Sequence, residues 1–264
     1  MPRIFNGTYQ YYAKYRPGIP EKVINLIVKY FDLKLGDRVL DIGCGTGQIA
    51  IAMDGRCKEM VCLDSDPKMI EQGKKRMKGS KTKLVWINKG SQDLGKIRKE
   101  LGIFKLAIIS RAFHWMDQKQ VLKDLEEIIS EDGGIAILGD KSIWTGREKW
   151  QKAVKRIVQK YLGKERRAGE GVFKQSDESW EDLIAKSAFR FVKTNNIPVV
   201  REWGVESVIG WLFSSSFASP DYFGNRLNAF KEDIKKNLLA INPKGVFRET
   251  AIWTIILASK KTPK

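Results

Sequence analysis

Val39-Leu40-Asp41-Ile42-Gly43-Cys44-Gly45-Thr46-Gly47-Gln48-Ile49-Ala50 is the stretch whose reading decides the fold. The short apolar run Val39–Ile42, with its β-branched residues, reads as a buried strand. Three glycines at every second position follow it. Gln48 to Met53 then reads as the opening of a helix. Glycine tolerates positive φ and lets a backbone approach a ligand with no Cβ in the way. A strand, a glycine turn and a helix therefore aim free backbone N–H groups at whatever occupies the turn.

The spacing separates cofactor classes. A dinucleotide fold needs G-x-G-x-x-G, with pyrophosphate at the helix N-terminus. Here the pattern is G-x-G-x-G, and Gln48 stands where the third glycine would be. The phosphate loop G-x-x-x-x-G-K-[ST] is absent as well. Asp41 stands two positions before the first glycine, where a carboxylate repels pyrophosphate and attracts an ammonium group. With these residues the chain resembles the class I S-adenosylmethionine-dependent methyltransferases, whose first motif has the form V-L-D-[IVL]-G-C-G-[TS]-G. The resemblance implies S-adenosyl-L-methionine as cofactor, S-adenosyl-L-homocysteine as its product, and a cofactor turn formed by Asp41, Gly43, Cys44, Gly45 and Gly47.

With 264 residues the chain is long for one domain and short for two, so one domain carrying an insertion is the economical arrangement. No apolar stretch approaches the ~20 residues of a membrane span. The opening Met-Pro-Arg-Ile-Phe-Asn-Gly lacks the apolar core of a secretory signal. Cys44, Cys57 and Cys62 have neither metal-ligand spacing nor the even count of a disulfide framework. A cytoplasmic, non-membrane protein without a metal is expected. The net charge of +17 would attract nucleic acid or anionic surfaces. Its basic residues are spread along the chain, however, and most read as solvated helix faces, so a nucleic-acid partner is compatible with the charge but not favoured by it. No pattern specifies an oligomeric state.

Met60 to Asp64 reads as a second buried strand, and Asp64 lies 21 residues after Gly43. That is the distance at which a nucleotide-binding α/β unit sets a carboxylate on ribose hydroxyls. Ser65 follows it, Asp66-Pro67 is a helix start with Asp as cap, and Met69, one turn on, is either core or adenine contact. Lys83 to Gly90 reads as a third strand, followed by Ser91, Gln92 and Asp93. The resemblance gives this turn to adenine, while capping of the next helix is an equally good use of Ser91 or Asp93. Phe104–Ser110 and Gly133–Asp140 read as strands four and five, with an amphipathic helix from Gln118 to Ile129 between them. Strands alternating with helices mean a parallel sheet with right-handed crossovers. Ligands in such sheets bind outside the strand C-termini. Gly43, Asp64, Gln92 and Ser110 all fall there.

Ser110-Arg111-Ala112-Phe113-His114-Trp115-Met116-Asp117 follows the fourth strand. His114 is the chain's one histidine, and imidazole is the side chain best suited to take a proton near neutral pH. The segment resembles the x-x-H-W-x-D element of small-molecule methyltransferases of the trans-aconitate and ubiquinone/menaquinone type. That resemblance implies cofactor contacts for Ser110 and Arg111, substrate contacts for Phe113, His114 and Trp115, and a base role for His114. It lacks the [DNS]-P-P-[YFW] element of enzymes that methylate base amino groups. Phe5 to Pro17, rich in tyrosine, resembles the Y-x-x-x-R-P lid of the same group. There Tyr12, Tyr15 and Arg16 would cover the cofactor and Tyr9 the substrate, and an amphipathic helix docked on the sheet is the plain alternative.

Beyond Trp144 the pattern is helical: Trp150 to Leu162, Ser179 to Phe189, Glu206 to Phe213 and a long helix from Pro220 to Leu239. An extended stretch near Phe191 to Trp203 interrupts them, and an alternating strand closes the chain at Phe247 to Ala258. The expected fold is α/β: a Rossmann-like, doubly wound, mostly parallel sheet whose last strand is antiparallel, with a helical cap insertion. Residues 1–142 would form the cofactor-binding core with its lid, 143–240 the cap bearing Trp144 as a substrate wall, and 241–264 the returning strand. The expected activity is methyl transfer to O, N or C of a small molecule, and the alternative is an RNA or protein methyltransferase using the basic surface.

Overall fold

A computed structural model describes residues 7–140, 143–168, 171–172 and 178–262. Phe5 and Asn6 of the tyrosine-rich segment, and the expected 142/143 boundary, lie outside the described residues. The chain opens with helices α1 (Tyr9–Tyr15) and α2 (Glu21–Tyr30). Strands and helices then alternate through β1 (Arg38–Ile42), α3 (Gln48–Ala52), β2 (Glu59–Asp64), α4 (Pro67–Arg76), β3 (Lys83–Asn88), α5 (Leu94–Leu101), β4 (Phe104–Ser110), α6 (Gln118–Ile128) and β5 (Ile129–Asp140). Next come α7 (Lys149–Leu162), the two-residue strands β6 (Arg167–Ala168) and β7 (Gly171–Val172), and α8 (Trp180–Ala185). The last elements are β8 (Phe191–Gly204), α9 (Val205–Phe213), α10 (Leu227–Ile241) and β9 (Val246–Ser259).

Seven strands form one sheet in the order β3-β2-β1-β4-β5-β9-β8. β1 to β5 run parallel, and β9 is antiparallel to β5. Side-chain pairs Thr254–Asn196 and Arg248–Glu202 run in opposite senses along β9 and β8, so these two strands are antiparallel as well. β1 and β4 are nearly continuous apolar runs because helices cover both faces of the sheet there. The strand order reverses between β1 and β4. In open α/β sheets that switch point, at the carboxyl ends of the strands, is where a crevice opens.

The chain divides into two compact units. One holds Gly18–Asp140, Ser176–Ile197 and Trp253–Lys264; the other holds Met1–Pro17, Lys141–Gln175 and Pro198–Ile252. The core of the first runs from Leu40 and Ile42 through Phe104, Ile109 and Leu125 to Ile184, Phe189 and Ile256. The second has its own core of Trp150, Val154, Trp203, Trp211, Phe213, Phe223 and Phe230. β8 gives residues 191–197 to the first unit and 198–204 to the second, and β9 gives 253–259 to the first and 246–252 to the second.

Four features differ from the sequence reading, each for a local reason. The predicted helix from Pro220 is two 3₁₀ turns, over 220–222 and 224–226, ahead of α10. Pro220 and Gly224 (φ 52°) break it there. The predicted helix 179–189 stops at Ala185, where Ser187 donates to the Ile184 carbonyl and accepts from Phe189 N–H. β5 begins four residues early and pairs with β4 across a register shift between Phe104 and Leu106. Finally, α8 packs in the sheet's core and not among the cap helices, whereas α1 packs on α9.

Candidate active site at the carboxyl edge of the sheet

Asp41 occupies the last but one position of β1, beside Cys62 of β2 and Ile108 of β4. It is fully buried, and neither carboxylate oxygen has a hydrogen-bond partner among the described residues. Burial, and then the charge of Asp64, pushes its carboxyl well above the ordinary range. A buried acid with both oxygens orphaned is costly unless something pairs with it. A cation, or a donor of several N–H bonds, is the partner such an acid needs.

The turn after it is built from backbone. Gly43, Gly45 and Gly47 have φ of 73°, 54° and 82°, all in the left-handed region. At Gly43 a Cβ would come within 2.6 Å of Ala112 Cβ, so this glycine brings the end of β1 against the segment that follows β4. Gly43 and Cys44 N–H groups both bond to the Leu63 carbonyl (2.8 and 3.1 Å). That ties the turn to β2. Cys44 is buried, and burial, then the Cys62 thiol beside it, pushes its own thiol upward; it packs, as a small side chain there should.

Asp64 ends β2 and is held from two sides. Its Oδ2 accepts from Gly45 N–H at 2.8 Å and its Oδ1 from Asp66 N–H at 2.9 Å. Burial raises its carboxyl against the pull of these amides. Asp66 caps α4 by accepting from Lys68 N–H at 2.8 Å, with Pro67 at the first helical position. Ser65 is exposed, and Met69 is buried at 3% exposure. Register sets Asp64 beside Asn88, so β3 delivers the next turn to the same edge. There Ser91–Asp93 forms a 3₁₀ turn in which Asp93 Oδ2 accepts from Gly90 N–H at 2.9 Å. The capping use of Asp93 is thus present, while Ser91 and Gln92 remain partly or wholly exposed.

Ser110 closes β4 opposite Leu138. Arg111 has a positive φ of 56°, its N–H donates to the Leu138 carbonyl, and its guanidinium pairs with Asp140 at 2.6 Å over the Trp253 ring. This arginine is engaged inside the sheet unit. Phe113 is 1% exposed, packs in the core of the sheet unit and lies edge-on to Trp180. His114 and Trp115 are half-buried. The imidazole lies 4.5 Å from the Trp115 centroid and nearly parallel to Trp180, at 9° and 6.3 Å.

The remaining sequence candidates sit in the other unit. Tyr9, Tyr12, Tyr15 and Arg16 are half-buried residues of α1 and its C-terminal cap. Tyr15 lies flush on Gly210 of α9, where a Cβ would fall 2.2 Å from its ring, and Tyr11 meets Phe213 edge-on at 5.2 Å. Arg16 donates to the Ser214 carbonyl at 3.1 Å, with the rings of Tyr12 and Trp211 about it at 5.0 and 5.1 Å. Within this unit α1 packs on α9. Trp144 packs against Phe217 at 5.4 Å with Lys155 over its ring.

Sequence reasoning missed two residues. Gln48, 7% exposed, accepts from Thr46 Oγ1 at 3.2 Å and leaves its amide nitrogen without a partner among the described residues. Its position in the glycine pattern was the available signal. Trp180, assigned to the cap, instead stands beside His114, and nothing in its spacing announced that.

The edge so built fits S-adenosylmethionine. An orphaned buried acid suits the ammonium of its methionyl part, and a fixed second acid ends the neighbouring strand. Among the described residues no cluster of His, Cys, Asp and Glu could hold a metal ion. No described helix is long and apolar enough to cross a membrane. Residues 39–133 match the family model of the methyltransferase domain. The chain is 28% identical over 130 residues to a probable S-adenosylmethionine-dependent methyltransferase, CRG1, of Saccharomyces cerevisiae; the match covers 48% of this chain and 43% of that protein. It is 40% identical over 58 residues to a probable dimethyladenosine transferase of Caenorhabditis elegans, 22% of this chain and 19% of that one. The chain thus spans less than half the length of these curated relatives. Among solved structures it resembles an S-adenosylmethionine-dependent methyltransferase of Thiobacillus denitrificans bound to S-adenosyl-L-homocysteine, with a TM-score of 0.52 at 17% identity over 99% of both chains. Residues 39–133 thus match a methyltransferase domain, and the chain is similar in sequence and in fold to S-adenosylmethionine-dependent methyltransferases.

Proposed function

We propose that this chain transfers a methyl group from S-adenosylmethionine to O, N or C of a small-molecule acceptor. The carrying observation is Asp41: a fully buried carboxylate with no hydrogen-bond partner among the described residues, on the strand that runs into the glycine turn. In this reading Asp41 meets the ligand's ammonium and Asp64 the ribose hydroxyls. The turn at 91–93 faces the adenine edge. Bound there, S-adenosylmethionine supplies a methyl carbon made electrophilic by its sulfonium. The chain's own work is chiefly to fix the approach of the acceptor and to exclude water, together worth up to ~7–11 kcal/mol. His114, in the 3₁₀ turn that follows β4, takes the proton from an acceptor atom that must lose one. The finer grouping with trans-aconitate and ubiquinone/menaquinone-type enzymes rests on the His-Trp-x-Asp run at 114–117.

A second reading, an RNA acceptor, draws on the +17 charge and on the 58 residues shared with the dimethyladenosine transferase. Against it stands Ser110-Arg111-Ala112-Phe113, where enzymes methylating base amino groups have [DNS]-P-P-[YFW].

Titration calorimetry with S-adenosylmethionine and S-adenosylhomocysteine tests the cofactor part. Both should bind competitively, and Asp41→Ala and Asp64→Ala should each weaken binding at least tenfold. Heat from neither compound would end the proposal. For the acceptor, salt-insensitive turnover of a small molecule supports the first reading, and a steep salt slope with RNA supports the second.

A further inference from the structure

We propose that the outward face of α7 is a docking surface for the phosphodiester backbone of a nucleic acid. The helix reads Lys149-Trp-Gln-Lys-Ala-Val-Lys-Arg-Ile-Val-Gln-Lys-Tyr-Leu162 and contains no carboxylate. Lys149, Lys152, Arg156 and Lys160 recur at i, i+3, i+7 and i+11, which stacks them along one side of the helix. All four are exposed. Lys160 pairs with Asp233 at 2.7 Å. For Lys149, Lys152 and Arg156 no acidic side chain lies within ion-pair distance among the described residues.

The other side of α7 is spent. Trp150, Ala153, Val154, Ile157 and Val158 are buried in the core of their unit. No apolar face is left to enter a bilayer, and a helix that lies in a membrane interface needs one. Nor do these cations serve the helix. Lys149 and Lys152 sit in and just after its first turn, the end at which the macrodipole disfavours positive charge. Glu148 at the N-cap offsets part of that cost, but the exposed cations on this side of the helix outnumber it, and such an excess points to an external partner.

Geometry and charge favour a polyphosphate over an acidic protein. From residue 149 to 160 the stripe is about 16 Å long at 1.5 Å per residue, enough to face several successive phosphates. Lysines on flexible stems fit a regular row of point charges without reading sequence. The chain's +17 adds long-range attraction to the most densely charged partner available. The surface belongs to one unit and involves none of the residues assigned to the cofactor, so the cofactor titration and the test below fail independently.

The test is fluorescence anisotropy of the full chain with 20-nucleotide RNA and DNA, single-stranded and duplex, from 50 to 300 mM KCl. Three proteins are compared: wild type, K149Q/K152Q/R156Q, and the control K29Q/K119Q/K123Q, which removes the same net charge from exposed positions on α2 and α6. We expect the α7 variant to lose at least tenfold in affinity at 100 mM KCl. Its log K against log salt slope should fall by about 2 on single strands and about 2.7 on duplex, as three lost phosphate contacts require. The control should stay within about twofold, and S-adenosylhomocysteine should bind all three alike. Equal losses in both variants would mean diffuse charge and overturn the proposal. So would absence of wild-type binding at 50 mM KCl, or binding to phosphatidylserine vesicles in preference to every nucleic acid.

Discussion

Asp41 carries the sharpest stability argument in the chain. Its carboxyl is raised by burial and then by Asp64, so in the ligand-free fold the ionised form is the unfavourable one. A group whose folded pKa lies above its unfolded value contributes stability below the unfolded pKa. That contribution is lost as pH rises through the raised value. Asparagine has nearly the same shape and cannot ionise. Asp41→Asn should therefore raise the Tm of the ligand-free protein at pH 7 to 8. The gain arises because asparagine stays neutral at no cost in pH-dependent free energy; it amounts to about 1.4 kcal/mol for each pH unit above the unfolded carboxyl value, up to the raised folded one, and should vanish toward acid pH. The same variant should lose most of the Tm increase that S-adenosylmethionine gives the wild type. A lower Tm at neutral pH would show that Asp41 has a partner inside the fold. His114 makes a kinetic claim instead. His114→Ala should cut turnover by about 10²–10⁴ where the acceptor loses a proton, with cofactor affinity near normal by calorimetry. An unchanged rate would make it a packing residue between Trp115 and Trp180.

Elements show where the sequence was legible and where it was not. The strands β1 to β4 and the turn at 43–47 were readable because each is written locally, in apolar runs that end in glycine or acid. Asp66 was readable as a cap because Asp-Pro has one efficient use. Gln48 and Trp180 were not, since one amide left unpaired and one indole beside His114 follow only from tertiary contacts. The docking of α1 is of the same kind. Tyr11 and Tyr15 announce an apolar face, but what receives it is Gly210, a glycine 195 positions beyond Tyr15. Gly210→Ala tests that contact. The new methyl falls 2.2 Å from the Tyr15 ring, near its rigid base, and the overlap should cost ~1–3 kcal/mol as overpacking does, outweighing the helix propensity gained. Limited proteolysis should then cut within residues 7–17 several times faster than in wild type. Unaltered cleavage with a raised Tm would mean that α1 is held elsewhere.

Over the whole molecule, charge opposes compactness. Lys and Arg number 48 against 31 Asp and Glu. Among the described residues, the ion pairs with both side chains at most 11% exposed are Arg111–Asp140 and Arg201–Glu249. The others have at least one more exposed partner, and fully exposed pairs are worth little. Arg201–Glu249 sits with Gln151 and Trp203, both donating to Glu249, so it tolerates changes of ionic strength. What remains for salt to act on is the net repulsion of +17, which destabilises a compact state and is screened within about 8–10 Å at physiological ionic strength. Raising KCl from 20 to 300 mM should therefore increase the Tm of the ligand-free protein by several degrees. A protein stabilised by its surface pairs would respond with the opposite sign. K149Q/K152Q/R156Q should show a smaller increase than wild type, because it removes a run of cations that lies close together on one helix. If Tm fell with KCl, exposed pairs such as Arg248–Glu202 and Lys75–Glu71 would be contributing more than the repulsion costs, and the excess of lysine and arginine would be too dispersed to strain the fold.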